Sequence, residues 1–223
     1  MDSRKALELK HDRKILDKDE AGVWGWASPA GRIRLNRRTE VINSIIGFYV
    51  RPKGTGCIKI LELGCGTGIL TENLPYFLKT KIISLDICEG FICKAVSRLK
   101  KSGKEFIFLT ADAEVLPFIN ESFDVVIGVS VLHHLNMDFA LREIRRGLKP
   151  GGRFIFSEPN MANPQIFIQK NIGFVKRLAG DSPSETAFLP FKVLALFRRY
   201  GLKAKVMPFD FLHPATPMFF IPA

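Results

Sequence analysis

The chain alternates short apolar runs with amphipathic stretches. Lys59–Leu63, Lys81–Leu85, Glu105–Thr110, Ser122–Ser130, Arg153–Ser157 and Leu202–Phe209 are apolar runs that do not alternate with polar residues. Such runs predict strands buried on both faces, as in a parallel sheet. Between them lie helical patterns. In Asn36–Val50, Val41, Ile42, Ile45, Ile46 and Tyr49 recur at steps of three and four, and Arg51-Pro52-Lys53-Gly54 ends the pattern. Glu89–Lys100 predicts a second helix, stopped at Gly103, and Asp138–Leu148 a third, with its arginines toward the C-terminal end. Strand and helix in turn predict an α/β fold, doubly wound around a mostly parallel sheet.

The flanks are less regular. Leu7, Leu9, Ile15 and Leu16 are scattered among charges and predict a loose helix, followed by a loop, Gly22–Gly31, that holds both Trp24 and Trp26. Residues 161–201 predict two helices. Asn163 caps the first, Pro164 takes its opening position and Gly180 ends it; Ser182-Pro183-Ser184-Glu185 opens the second, which Pro190 kinks and Gly201 ends. After strand 6 the chain carries His213-Pro214, Pro217 and Pro222. Prolines do not suit an interior strand, so no full strand is predicted there. Segment by segment, 1–55 reads as a helical lid, 56–160 as a core, 161–201 as a helical insertion and 202–223 as a terminal strand region, all of one domain.

Composition narrows the class. The 223 residues are 47% hydrophobic and 25% charged, which is ordinary for a globular chain. No apolar run is long enough to span a bilayer. The charged stretch Met1–Lys18 does not read as a secretory signal. Cys57, Cys65, Cys88 and Cys93 form no C-x-x-C pair, so neither zinc nor a disulfide framework is expected, and reduced thiols in a cytoplasmic protein are. The net charge is +11 and lies on the flanks: residues 1–38 hold 10 Lys+Arg against 6 Asp+Glu, residues 39–160 hold 15 against 13, and residues 161–223 hold 8 against 3. Basic flanks of this kind suit a solvated surface, nucleic acid, an anionic membrane or an acidic substrate.

The chemistry centres on Glu62-Leu63-Gly64-Cys65-Gly66-Thr67-Gly68. Glycines at alternate positions let the backbone take positive φ and approach a ligand closely. A helix opening near Gly68 and shortened by Pro75 would add N–H donors. The spacing is G-x-G-x-G with Ile69 following, so it is neither G-x-G-x-x-G nor a P-loop. Asp86 ends the second strand, where a carboxylate can accept from a ribose diol or cap the next helix. Asp112-Ala113 follows the third strand and offers an acceptor and an N–H donor, the pair that neutral adenine needs; a helix cap is the other reading of Asp112.

These motifs, with Val131-Leu132-His133-His134-Leu135 after strand 4 and Leu148-Lys149-Pro150-Gly151-Gly152 before strand 5, resemble class I S-adenosylmethionine-dependent methyltransferases of the small-molecule and lipid-modifying "type 11" kind. The likeness is close over residues 56–160 and loose over 161–210. It implies a Rossmann-like fold with strand order 3-2-1-4-5 followed by 6, whose usual seventh, antiparallel strand is expected to be missing, truncated or very short because of Pro214, Pro217 and Pro222, and methyl transfer from S-adenosylmethionine to a small-molecule or lipid-like acceptor, leaving S-adenosylhomocysteine. It implies a cofactor set of Glu62, Gly64, Gly66, Gly68, Asp86, Ile87, Asp112, Ala113 and Ser130. His133, His134 and Glu158 are candidates for catalysis or acceptor contact, with Glu158-Pro159-Asn160 expected to face the pocket. Trp24, Trp26 and Arg34 are lid candidates, and residues 161–201 are expected on the acceptor side, where basic apolar helices could meet a lipid surface.

Two alternatives stay open: a nucleic-acid (RNA) methyltransferase using the basic flanks, and an S-adenosylmethionine-binding protein without catalysis. Ser130-Val131-Leu132-His133 stands where an amino-methylating nucleic-acid enzyme carries Asn- or Asp-Pro-Pro-Tyr, which favours a small acceptor.

Overall fold

The computed structural model describes residues 3–16, 26, 28–50, 57–74, 80–100, 102, 106–178, 187–208 and 217–222. Trp24, Pro75, Gly103, Gly180, Ser182-Pro183-Ser184-Glu185 and His213-Pro214 lie outside them.

The strands are β1 (Ile58–Leu63), β2 (Thr80–Asp86), β3 (Phe106–Thr110), β4 (Phe123–Val129), β5 (Leu148–Pro159), β6 (Ala204–Pro208) and β7 (Pro217–Pro222). They form one sheet in the order β3-β2-β1-β4-β5-β7-β6. The first five are parallel, with Leu63 opposite Leu85 on one side and Gly128 on the other. β7 is antiparallel to both its neighbours.

The expectation for the C-terminal region is thereby corrected. The seventh strand is present, six residues long, and it separates β6 from β5. Its prolines stand at its two ends, where the missing N–H interrupts the ladder least.

The sheet is buried on both faces, as the unalternating strands require. On one face Leu61, Leu63, Val126 and Phe156 pack with Leu141 and Ile144 of helix α4 (Met137–Gly147) and Val193 and Phe197 of α7 (Pro190–Arg199). On the other, Ile60, Ile82, Ile127 and Ile155 pack beneath Ile42 and Ile46 of α2 (Pro29–Val50). At the margin, Ile15 of α1 (Ser3–Leu16) joins Cys88 and Phe91, the latter on α3 (Glu89–Leu99).

Four local expectations change. No regular α-helix opens at Gly68; between Gly68 and Leu74 the chain makes a 3-10 turn, Thr71–Asn73. Leu74 is extended (ψ 152°), as a residue preceding proline must be. α2 begins at Pro29 rather than Asn36, because the Ser28 hydroxyl accepts the Gly31 N–H (3.0 Å) and Pro29 sits in the first turn. The segment after β5 opens as two short helices, α5 (Pro164–Asn171) and α6 (Gly173–Leu178). Pro190 opens α7 instead of kinking a longer helix.

Candidate functional site

The carboxyl ends of β1, β2, β3 and β4 open into one cavity of about 440 Å³. Of the nine residues that the sequence motifs single out for the cofactor, eight line it: Glu62, Gly64, Gly66, Asp86, Ile87, Asp112, Ala113 and Ser130. Gly68 is not in the lining. It has φ +78°, and a Cβ there would meet Leu99 and Ala95, so it permits the loop to pack against α3.

The loop is bare for a physical reason. Gly64 and Gly66 have φ of +64° and +52°, the left-handed region that costs an L-residue energy. A Cβ on Gly64 would sit 2.5 Å from Val131 Cγ2. Asp86 closes the loop: its Oδ2 accepts the Gly66 N–H and its Oδ1 the Cys88 N–H, each at 2.9 Å. Burial raises its carboxyl above the usual range, against the pull of these N–H donors. Each oxygen keeps a further lone pair for a hydroxyl donor.

Glu62 is buried beneath the loop. Its Oε2 accepts the Thr71 and Ser84 hydroxyls at 2.7 and 2.6 Å. Burial pushes its carboxyl up to about 7, against those hydrogen bonds and helped by the neighbouring Asp86. Ser130 also has positive φ (+53°), and its N–H donates to the Ser157 carbonyl at 2.8 Å. Strain of this kind at a non-glycine residue concentrates at functional sites.

Beyond Ser130 the chain makes one 3-10 turn, Leu132–His134. Glu158 holds that turn and does not line the cavity, which corrects the expectation that it faces the pocket. Its Oε1 accepts the Val131 and Leu132 N–H groups at 3.0 and 2.8 Å, and its Oε2 lies 2.6 Å from His133 Nδ1. A carboxylate only accepts, so Nδ1 carries the proton in this pairing. Asn160 is also turned away, its Oδ1 accepting the Ala162 N–H, and of this trio only Pro159 reaches the cavity. His133 and His134 both line it, their rings 4.2 Å apart.

The contribution of α1 was not legible in sequence. Lys5 Nζ donates to Asp112 Oδ2 at 2.6 Å and lies 2.8 Å from Glu114 Oε2. Burial alone would lower the Lys5 ammonium, but the hydrogen bonds and charges of these two carboxylates outweigh it and raise it. Arg4 also pairs with Glu114, and Glu8 Oε2 lies 3.1 Å from His134 Nδ1. Asp12 lines the cavity, and burial, with Asp86 and Glu8 close by, pushes its carboxyl up to about 7. Local pattern gives no sign of these pairs, because the partners lie 107 or more residues apart. From the other side come Trp26, Arg34 and Arg38 and, on α5, Ile166, Gln169 and Lys170.

Comparison with known proteins agrees with this geometry. The model of a methyltransferase domain family matches residues 61–156. A ubiquinone biosynthesis O-methyltransferase of Ruegeria pomeroyi is 31% identical over 207 residues, 86% of this chain and 83% of its own. A demethylmenaquinone methyltransferase of Lactococcus lactis is 39% identical over 116 residues, 50% of this chain and 46% of its own. In fold, the chain is similar to the N-methyltransferase NodS of Bradyrhizobium japonicum, solved with S-adenosyl-L-homocysteine (TM-score 0.67, 16% identity, 96% of each chain). The chain belongs to the class I S-adenosylmethionine-dependent methyltransferases.

Proposed function

We propose that the enzyme transfers the methyl group of S-adenosylmethionine to a small-molecule or lipid-like acceptor held at the Trp26, α2 and α5 end of the cavity. The observation that carries this reading is the convergence of Glu62, Gly64, Gly66, Asp86, Asp112 and Ser130 on one cavity that Trp26 and residues of α2 and α5 also line. The relatives whose names refer to ubiquinone and menaquinone lend support, since those names point to small acceptors.

The residues present fit the cofactor. Gly64 and Gly66 line the cavity as bare backbone beside the Asp86 and Asp112 carboxylates, a donor and acceptor set suited to a nucleoside. In this reading Asp86 accepts from the ribose diol while keeping its hold on Gly66. Asp112 and the Ala113 N–H meet the adenine edge, and Glu62 and Ser130 stand at the methionine end. When bound, the cofactor supplies an activated methyl group on a sulfonium. The protein's work is then to align the acceptor and exclude water. α1 closes the adenine side through Lys5, and Glu158 fixes the turn that presents His133. In this reading His133 takes the proton from an acceptor that must lose one.

Calorimetric titration of S-adenosylhomocysteine into the wild type and Asp86→Ala tests the cofactor half. Saturable binding that the substitution weakens by about 1–3 kcal/mol, the scale of a lost charged partner, is expected. No binding by the wild type would sink it. Turnover with an acceptor panel spanning phenolic, carboxylic and isoprenoid compounds, against RNA, tests the acceptor half. Transfer to RNA alone would overturn it.

A further inference from the structure

Helix α5 has two contrasting faces. Ile166, Gln169 and Lys170, at helical steps of three and four, line the cavity. The other side carries Phe167 and Ile168, 54% and 47% exposed. Ile172, itself 48% exposed, is the one residue between α5 and α6, and Phe174 on α6 is 64% exposed. The Ile172 N–H donates to the Ile168 carbonyl at 3.0 Å and the Lys176 N–H to the Ile172 carbonyl at 2.9 Å, so the two helices meet without a loop. Scattered apolar residues on a surface are ordinary, whereas four large ones over residues 167–174 mark an interaction surface.

The charge of the region decides what that surface meets. From Pro159 to Gly180 the sequence holds Lys170, Lys176 and Arg177 and no Asp or Glu, and Arg177 is exposed. The whole chain carries +11. A second copy would bring the same charge and be repelled. RNA would meet the charge but leave the four apolar side chains in water. We propose that α5 and α6 seat the enzyme on an anionic membrane surface, with Phe167, Ile168, Ile172 and Phe174 at the boundary of headgroups and acyl chains. The phosphates of the lipids then face a chain of opposite charge. The cavity lining and the exposed side chains stand on opposite sides of one helix, about 10 Å across, so a lipid-like acceptor has only that distance to travel from bilayer to cavity. This last step rests on the reading that α5 walls the acceptor end of the cavity; the docking itself needs neither acceptor nor turnover.

The test is co-sedimentation of the full chain with vesicles of phosphatidylcholine alone and of equal parts phosphatidylcholine and phosphatidylglycerol. The wild type should bind the mixed vesicles about 10-fold or more tighter than the neutral ones. Phe167→Gln with Phe174→Gln should weaken binding to the mixed vesicles by about 10-fold or more. Both side chains are exposed, so this double variant should keep its melting temperature and bind S-adenosylhomocysteine within about twofold of the wild type. Should it fail to fold, Ile168→Gln with Ile172→Gln carries the same expectation.

Failure of the wild type to bind the mixed vesicles overturns the proposal, and so does equal binding to both kinds. A folded double variant that binds like the wild type also overturns it, because the basic flanks then do the binding without this face. A wild-type dimer in sedimentation velocity that the double variant dissociates overturns it in favour of an interface between copies. A wild type that binds S-adenosylhomocysteine and ignores vesicles loses the docking alone, whereas one that binds vesicles and not S-adenosylhomocysteine keeps the docking and loses the cofactor reading.

Discussion

His133 and Glu158 form a buried pair, Nδ1 to Oε2 at 2.6 Å, and the same carboxylate holds the Val131 and Leu132 N–H groups. One side chain thus fixes both the backbone of the turn and the tautomer of its histidine. Glu158→Gln keeps an acceptor for the backbone but places an amide where Nδ1–H needs one. It should cost about 1–3 kcal/mol in thermal unfolding. Glu158→Ala, which leaves those N–H groups unmet, should cost more. If His133 is the base, the Gln variant also shifts the pH profile of turnover; an unmoved profile with lowered stability would leave the pair a purely structural clamp.

Lys5 ties α1 to Asp112 and Glu114 through a pair that is largely out of solvent. α1 buries Ile15 fully and Leu9 and Leu16 only in part, so its polar ties, Lys5 with Arg4–Glu114 and Glu8–His134, share in keeping it seated. Lys5→Ala should speed amide exchange across residues 6–16 by about 5- to 10-fold, equivalent to roughly 1 kcal/mol of local opening. Exchange in β1, β2 and β4 should not change. Equal acceleration everywhere would mean that Lys5 supports global stability instead.

Glu62 carries a carboxyl raised to about 7 from 4.5, chiefly by burial. Its folded form prefers the proton, so its contribution is present in full below pH 4.5 and is lost as pH rises toward 7. Glu62→Gln removes that loss. In the cofactor-free protein the variant should match wild type near pH 4.5 and exceed it at pH 8 by an amount on the order of 1–3 kcal/mol, read by denaturant unfolding. Asp12 adds a slope of the same sign through the same range. A difference independent of pH would show that the Glu62 carboxyl is not shifted.

Gly64 and Gly151 provide a matched comparison, since both have positive φ, +64° and +71°. A Cβ on Gly64 collides with Val131, whereas one on Gly151 meets nothing within 4 Å. Gly151→Ala should cost only the backbone term, about 1 kcal/mol, and spare S-adenosylhomocysteine binding. Gly64→Ala should cost more and weaken that binding by about 10-fold or more. Equal effects from the two would show that the loop yields more readily than its packing indicates.

How much of this was legible follows from how local each signal is. β1 to β4 and the second half of β5 were readable because each carries a mostly apolar run, and the pocket-lining Gly64, Asp86, Asp112 and Ser130 because they stand where such runs end; β5 begins earlier, at Leu148, because Leu148-Lys149-Pro150-Gly151-Gly152 reads as a turn. β7 was hidden because Pro217 and Pro222 argue against a strand unless their terminal positions are known. Gly31 disguised the first turn of α2, although Ser28-Pro29 already spelled a helix start. The role of Glu158 is not legible in sequence, since its place at a strand's carboxyl end does not tell whether it meets a ligand or the neighbouring turn. The α1 pairs with Asp112, Glu114 and His134 depend on tertiary placement and leave no periodic trace.

The strand order sets the sequence of events as the chain is synthesised. β6 precedes β7, yet β7 is its neighbour in the sheet and lies between it and β5. A nascent chain that has released β6 from the ribosome has nowhere in the sheet to put it. The edge of β5 from Phe156 to Pro159, which includes the carboxylate that clamps the histidine turn, waits uncovered for Pro217–Phe220 to emerge. The parallel core can assemble early, but β6 and the outer edge of β5 settle only after β7 is made, and a stalled or clipped chain would present that edge to other strands.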